Sequence, residues 1–321
     1  MKKTCILLLV LILIVNALPQ YNNPIVIDMP VQNFILNPLD NNILIASAGN
    51  IYCMDLKGTI INTIPSNSTT IVSNVAVNTQ TGMVAAIYND SVIRVYENNL
   101  LFSTINVSEL YNKVLFDNFH NAIISIKYEW NEYAQTYFSN VHYFDINGKK
   151  ITNYTIDFFV WNVIMNPTNG DIICDSFLVL EPAVYMAVSN INGIITKINT
   201  TREYAGGGMC LNNQDNIITA EYGLDIYDYN GTFIKHLNSS NGYSVFSPQV
   251  YQSYIAYIDL FSDNYKPFIQ FIDYDGNKLL KIDCGPHGTS PNGHSYFKFD
   301  KKGNIIASLG NQIKIWINTN S

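Results

Sequence analysis

Acidic and aromatic side chains recur where short apolar runs of this sequence begin or end, which is where loops start in a folded protein. Seven of them are candidates for binding a ligand or a partner: Tyr88, Tyr128, Trp161, Asp175, Glu221, Tyr222 and Asp259. Aromatic rings beside hydrogen-bonding groups suit a protein, peptide or sugar ligand. The alternative is that these are ordinary loop residues, because the chain contains 22 tyrosines in all.

Three of these candidates, Asp175, Glu221 and Asp259, are carboxylates that could converge at one point. Such a group could hold Ca²⁺, which takes six to eight oxygen ligands. A second candidate for metal binding or acid–base chemistry is the pair His287 and His294 in the segment CGPHGTSPNGHSY. For that segment the alternative is a surface loop.

Motifs that carry catalysis are missing from the sequence. It contains no G-x-S-x-G, no H-E-x-x-H and no glycine-rich loop leading into a helix that would cradle a phosphate. We therefore predict no catalytic residue and no required cofactor.

The elements that must position these residues are seven copies of one pattern. Each copy has an apolar strand, a polar turn, a second apolar strand and, in most copies, a third and a fourth strand. The first strands end at Asn37, Asn78, Asp117, Asn166, Asn212, Ser247 and Asp300. These positions lie between about 35 and about 53 residues apart, a spacing typical of four-stranded propeller blades. The short β-branched runs bounded by Asn, Asp and Gly indicate strands rather than helices.

This pattern predicts an all-β fold, a β-propeller of seven four-stranded blades. The seventh copy lacks a fourth strand, and a lone apolar strand at Ile25 to Ile27 precedes the first copy. We expect this N-terminal strand to complete the last blade and close the ring, because closure leaves only short, protected strand edges. Six blades are the alternative if the degenerate copy around Ser247 is not a blade. The longest insertion, KYEWNEYAQTYFSN after Ile126, is either a partner-binding loop or an extended β-hairpin.

At the level of single repeats the sequence resembles known propeller families. The segments NPLDNNILIASAGNIYCMDLKG and NNQDNIITAEYGLDIYDYNG look like NHL-type repeats. The segments DKKGNIIASLGNQIKIW and NDSVIRVYE look like WD40 units, but the Gly-His pair and the Trp-Asp ending of WD40 repeats are absent. The resemblance implies a β-propeller fold and a role in binding. It carries over no catalytic residue, because propellers host lactonases, lyases, receptors and scaffolds alike.

The first residues read as a secretory signal. Lys2 and Lys3 precede an unbroken apolar run from Cys5 to Val15, and small residues follow, which predicts cleavage after Ala17. A membrane anchor is the alternative, but this run is about half the length that spans a bilayer. We therefore predict a signal peptide over residues 1–17, a single propeller domain over residues 18–321, and secretion without a membrane span.

Composition limits the class of partner that the protein can bind. Charged residues make up 13% of the chain and the net charge is −7. Basic residues are scattered, so nucleic acid is not an expected partner.

Four cysteines remain after cleavage: Cys53, Cys174, Cys210 and Cys284. An oxidising compartment permits disulfides among them, while their apolar surroundings favour buried free thiols. Glycosylation is possible at the sequons of Asn67, Asn89, Asn106, Asn153, Asn199, Asn230 and Asn238.

Taken together, the sequence predicts a secreted, non-enzymatic propeller that binds an extracellular protein, peptide or glycan. The first alternative is a metal-dependent hydrolase of the propeller lactonase type. The second is a purely structural surface or matrix protein.

Overall fold

The structure is a computed structural model of the full chain. It describes residues 18–65, 70–89, 91–107, 112–132, 136–176, 184–200, 207–220, 222–239, 245–260, 267–285 and 296–320. The proposed signal peptide, Glu221 and the two histidines His287 and His294 lie outside these ranges. The regular structure within them consists of strands, and no helix there is long and apolar enough to cross a membrane.

The described strands, numbered in chain order, form seven groups of four. They are β1 (Ile25–Asp28); β2 (Asn33–Leu36), β3 (Ile43–Ser47), β4 (Asn50–Met54), β5 (Ile60–Ile64); β6 (Val72–Val77), β7 (Val84–Tyr88), β8 (Val92–Glu97), β9 (Leu100–Asn106); β10 (Lys113–Asp117), β11 (Ala122–Asn131), β12 (Thr136–Asp145), β13 (Lys150–Ile156); β14 (Val160–Met165), β15 (Ile172–Ser176), β16 (Val184–Asn190), β17 (Gly193–Thr200); β18 (Met209–Leu211), β19 (Ile217–Ala220), β20 (Gly223–Tyr227), β21 (Phe233–Asn238); β22 (Val245–Tyr251), β23 (Tyr254–Leu260), β24 (Pro267–Ile272), β25 (Lys278–Asp283); β26 (Tyr296–Phe299), β27 (Ile305–Leu309) and β28 (Gln312–Trp316).

Seven antiparallel sheets of four strands follow from this order, which confirms the seven-bladed β-propeller. In blades 1 to 6 the strands pair in sequence order, with β2, β6, β10, β14, β18 and β22 at one edge of their sheets. These first strands contact one another between most neighbouring blades, so they surround the central channel. The buried apolar residues form seven clusters, each shared by two adjacent blades. The hydrophobic core therefore lies at the interfaces between adjacent sheets, which are arranged in a ring.

The N-terminal strand closes this ring as predicted. In blade 7 the order is β1-β28-β27-β26, and Ile27 pairs with Ile313. The contact continues beyond the strand, because the Thr319 amide donates to the Gln20 carbonyl at 2.8 Å. Gly58, in the outer turn of blade 1, has φ +83°, and a Cβ there would lie 3.1 Å from Ile27. Glycine at this turn thus lets blade 1 pack closely against the closing strand.

Six buried Asn or Asp residues end the first strands and organise the turns that follow. They are Asn37, Asn78, Asp117, Asn166, Asn212 and Asp300. In each, one side-chain oxygen accepts a hydrogen bond from the backbone amide two residues later, which is the Asx-turn geometry. We call the face of these turns the lower face, and the opposite face the upper face.

The predicted strand end at Ser247 is wrong. β22 continues to Tyr251, and its pairing with β23 skips Ser247 and Pro248 in a β-bulge. Ser247 has φ 51°, a backbone geometry that interrupts a regular strand. The bulge explains why the sixth copy looks degenerate although it forms a complete blade.

All four cysteines of the propeller are free and buried: Cys53, Cys174, Cys210 and Cys284. Burial raises the pKa of the Cys174 thiol and raises that of Cys210 to about 12. Of the two options left open by the sequence, the structure therefore shows free thiols in the core.

Candidate functional site

The most prominent feature of the upper face is a long hairpin of blade 3. β11 and β12 each span ten residues and remain paired from Ala122 and Asp145 out to Asn131 and Thr136. The insertion predicted as either a loop or a hairpin is therefore a β-hairpin. It extends the second and third strands of this blade beyond their counterparts in other blades.

One side of this hairpin is aromatic. Tyr128 and Trp130 are two residues apart on β11, so they point to the same side, and Tyr137 pairs with Trp130 across the hairpin. Phe159, from the connection into blade 4, and Trp161, on β14, extend the group. The ring centroids are 4.7 Å apart for Trp130–Tyr137, 4.5 Å for Tyr128–Phe159 and 5.7 Å for Phe159–Trp161. We refer to these five residues as the aromatic patch.

The patch stays open to solvent. Tyr128 is 39% exposed, Trp130 44% and Tyr137 38%. Their rings meet edge to face, an arrangement in which aromatic pairs stabilise each other. Contiguous exposed aromatic surface is uncommon on a monomer and marks interaction sites.

A buried serine fixes the two halves of the patch together. The Ser139 hydroxyl donates to the Phe158 carbonyl and accepts from the Val160 amide, both at 2.9 Å. Phe158 points into the core, where it is 2% exposed, so its neighbour Phe159 turns outward. This pair of hydrogen bonds sets the position of Phe159 against Tyr128.

The other side of the hairpin is polar. Lys127 and Glu129 form an ion pair there, and Thr155 on β13 donates to Asn140 at 2.8 Å. The alternation of aromatic and charged residues along β11 therefore gives the hairpin two different faces. The aromatic face leads towards the channel mouth through Trp161 and Asn162, which are neighbours on β14.

Polar residues line that channel mouth. Six of the seven blades place a partly exposed residue at the same height at or just before the start of the first strand, and the members of this upper ring are Asn33, Asn74, Lys113, Asn162, Gly208 and Tyr296. Two residues further along the strands, a lower ring consists of Ile35, Ala76, Leu115, Ile164, Cys210 and Lys298. The channel thus has an amide-rich entrance above a mainly apolar section.

Asp175 lies beside this entrance and is 2% exposed. Its two carboxylate oxygens accept from the Asn162 backbone amide at 2.8 Å and from the Asn162 side-chain amide at 3.1 Å. Burial raises the pKa of Asp175, while the Asn162 hydrogen bonds and the nearby charge of Lys113 oppose that shift. Burial also lowers the pKa of Lys113. Asp175 is therefore engaged with Asn162 and positions it at the channel mouth.

The other predicted site residues are placed differently. Tyr88 is fully buried, its hydroxyl lies 2.7 Å from that of Tyr96, and the Arg94 guanidinium lies 4.1 Å from its ring centroid. Asp259 is fully buried near the end of β23, the second strand of blade 6, whereas Tyr222 is 47% exposed in blade 5. The structure thus brings together Tyr128 and Trp161, places Asp175 beside them, and encloses Tyr88 in the core.

The structure adds no geometric support for a metal site formed by Asp175, Glu221 and Asp259. Within the described ranges no three His, Cys, Asp or Glu side chains group closely enough to hold a metal ion. Glu221 lies outside those ranges, so the proposed trio is not complete in the structure.

Trp130 and Tyr137 lie in the insertion that the sequence indicated as a candidate partner-binding loop, but neither was singled out as a site residue, and Phe159 was missed. The available signal was the spacing of aromatic residues in KYEWNEYAQTYFSN, where Tyr128 and Trp130 share one face of a strand. Sequence reasoning also missed Lys113 and Lys298, because their position on channel-lining strands depends on how the blades align.

The fold and this arrangement define a seven-bladed β-propeller with an exposed aromatic patch beside a polar channel mouth. No model of a known protein family matches the chain, and no curated protein is significantly similar to it.

Proposed function

We propose that this propeller is an extracellular binding module without catalytic activity, and that it contacts its partner through the aromatic patch. The observation that carries the proposal is the exposure of Tyr128, Trp130 and Tyr137 on a rigid hairpin. A pre-organised aromatic surface loses little conformational entropy on binding, because its side chains are already ordered.

The chemistry of the patch suits a protein, peptide or glycan. Large aromatic rings with polar neighbours are enriched at the centres of protein interfaces and in ligand sites. Nucleic acid is not a proposed partner, since the chain carries a net charge of −7. The relation to NHL-type or WD40 repeats likewise stays a prediction from single repeats.

A quantitative pulldown from the secreted fraction tests the proposal. The bait proteins are the wild type, the double variant Tyr128→Ala/Trp130→Ala, and the control Phe119→Ala. Phe119 is a suitable control because it is 61% exposed and belongs to the same blade, but lies on the lower face. Glycan arrays probed with the same three proteins cover a sugar partner.

We expect the double variant to lose the recovered proteins or glycans, and the control to retain them. The proposal fails if the double variant and the wild type recover the same ligands to the same extent, or if the wild type recovers none. Circular dichroism melts of all three proteins confirm that each is folded.

The metal-dependent hydrolase is retained only as an alternative to be tested. Thermal melts with Ca²⁺ and with a chelator decide it, since a bound metal stabilises the folded state by mass action. A melting temperature that does not change removes that alternative.

Secretion and glycosylation belong to the same proposal. Among the sequon asparagines whose exposure the structure describes, all five are exposed: Asn89, Asn106, Asn153, Asn230 and Asn238. On expression through a eukaryotic secretory pathway we expect a mature N-terminus at Leu18 and a loss of mass on treatment with a glycan-removing amidase.

A further inference from the structure

Lys298 interrupts the apolar lower ring of the channel. At the equivalent positions five of the other six blades carry Ile35, Ala76, Leu115, Ile164 and Cys210, while the first strand of blade 6 is interrupted there by the bulge at Ser247. A lysine at such a position is costly, because taking an ammonium group out of water is unfavourable unless a partner compensates for it. Its presence therefore calls for a physical explanation.

Lys298 lies on β26, the channel-lining strand of blade 7, where it alternates with Phe297, which is buried in the cluster shared by blades 6 and 7. The titratable group that influences its ammonium is the thiol of Cys210, which belongs to blade 5. The first strand of blade 6 lies between the first strands of blades 5 and 7 and contacts both. Lys298 is also partly exposed, which shows that solvent reaches it there.

Within the described part of the chain this ammonium has no hydrogen bond and no ion pair. Burial lowers its pKa. The upper and lower rings contain no carboxylate, and the two carboxylates that end first strands, in blades 3 and 7, are already engaged. Asp117 accepts from the amides of Phe119 and His120, and Asp300 accepts from those of Lys302 and Asn304.

A second cation lies above the first. Lys113 belongs to the upper ring and also has no hydrogen bond or ion pair among the described residues. The carboxylate that opposes the lowering of its pKa is Asp175, whose oxygens are bound by Asn162. The first strands of this acidic protein thus carry two lysines, and among the described residues of these strands no carboxylate lies at the level of Lys298.

We propose that the central channel binds a small anion, a phosphate or carboxylate group, with the Lys298 ammonium as its anchor. Lys113 at the channel mouth attracts the anion, and the amides of Asn33 and Asn74 flank its path. A lysine is a suitable anchor because its ammonium donates strong, charge-assisted hydrogen bonds to such oxygens. This site is separate from the aromatic patch and does not depend on the binding role proposed for it.

Two probes, inorganic phosphate and citrate, test this site in the intact mature protein. Binding is measured by calorimetry at neutral pH, with sodium chloride added to equalise ionic strength. We expect saturable binding to the wild type, binding weakened at least about tenfold in Lys298→Met, and substantial binding retained in Lys298→Arg. Lys301→Met, an exposed lysine of the same blade, and Trp130→Ala should bind like the wild type.

A measurement on the wild type alone covers the case in which Lys298→Met does not fold. Limited acetylation followed by peptide mass spectrometry should show that phosphate or citrate protects Lys298 and leaves Lys301 unprotected. The proposal is overturned if neither anion binds at about 10 mM, if Lys298→Met binds as tightly as the wild type, or if the two lysines are protected equally. If citrate alone binds, the ligand is a carboxylate; if phosphate alone binds, it is a phosphate.

Discussion

The hydroxyl of Ser139 accepts a hydrogen bond from the amide of Val160 at 2.9 Å, although the two residues belong to different blades. The same hydroxyl donates to the Phe158 carbonyl. One buried side chain therefore joins the long hairpin of blade 3 to the strand that begins blade 4. It also holds Phe159 and Trp161 against Tyr128.

Ser139→Ala should destabilise the propeller by about 1–3 kcal/mol, because it leaves a buried amide and a buried carbonyl without their partner. It should also weaken binding at the aromatic patch, since Phe159 is no longer fixed. Urea unfolding measures the first effect and the pulldown measures the second. The control Asn140→Ala removes an exposed hydrogen bond, leaves the sequon of Asn153 intact and should cost less than about 0.5 kcal/mol. Equal stability of the two variants would contradict this role for Ser139.

Tyr88 and Trp130 should respond in opposite ways to substitution. Tyr88→Phe removes a buried hydroxyl that lies 2.7 Å from Tyr96, so we expect a loss of about 1 kcal/mol in stability and unchanged partner binding. Trp130→Ala should reduce binding with little effect on stability, because the ring is 44% exposed. If Tyr88→Phe abolished binding while the protein stayed folded, Tyr88 would regain its place as a contact residue.

The closing strand gives a matched pair of variants. Ile27 packs against the core shared by blades 7 and 1, whereas its neighbour Val26 is 49% exposed. Ile27→Asp should cost roughly 2 kcal/mol or more, because it buries a charge and loses apolar contact, while Val26→Asp should be nearly neutral. Deletion of residues 18–30 should destabilise the ring further. Denaturation curves that coincide for all of these proteins would contradict closure by β1.

The four thiols should be unreactive in the folded protein. Burial raises the pKa of Cys284, like that of Cys210, to about 12, so almost no thiolate exists at neutral pH. Alkylation followed by peptide mapping should label Cys53, Cys174, Cys210 and Cys284 only after denaturation. A reducing agent should leave the melting temperature unchanged. A drop in that temperature would reveal a disulfide instead.

Removing the channel lysine should stabilise the empty protein. Burial lowers the pKa of Lys298 below 10.5 in the folded state, so the unfolded chain binds more protons between the folded pKa and 10.5. The charged Lys298 therefore destabilises the folded state in full below its folded pKa, and this destabilisation shrinks as the pH rises towards 10.5. Lys298→Met should melt at a higher temperature than the wild type at pH 7, with a gap that narrows under alkaline conditions. Lys301→Met should show no such gap at any pH, and a wild type that is the more stable protein at pH 7 would contradict the expectation.

The sequence by itself determined the architecture. Asn and Asp residues such as Asn37 and Asp300 end the first strands at regular intervals, because their side chains satisfy the turn amides locally. The alternation of apolar residues fixes which strand faces are buried, and the lone strand at Ile25 has only the incomplete seventh blade to complete. Each of these signals is local or repeats along the chain, so it can be read without coordinates. The bulge at Ser247 was not predicted from the sequence, because a single extra residue shifts the strand register without changing the composition.

The tertiary structure alone decided which side chains meet. Tyr88 and Tyr128 both end second strands in the sequence, yet one is fully buried and the other is 39% exposed. The difference arises because β11 continues beyond the blade, whereas β7 ends against the neighbouring sheet. Lys298 and Cys210 are likewise distant in the sequence, and both come to lie on channel-lining strands only once the ring is closed. Contacts of this kind depend on how the blades align around a common axis, which no single repeat encodes.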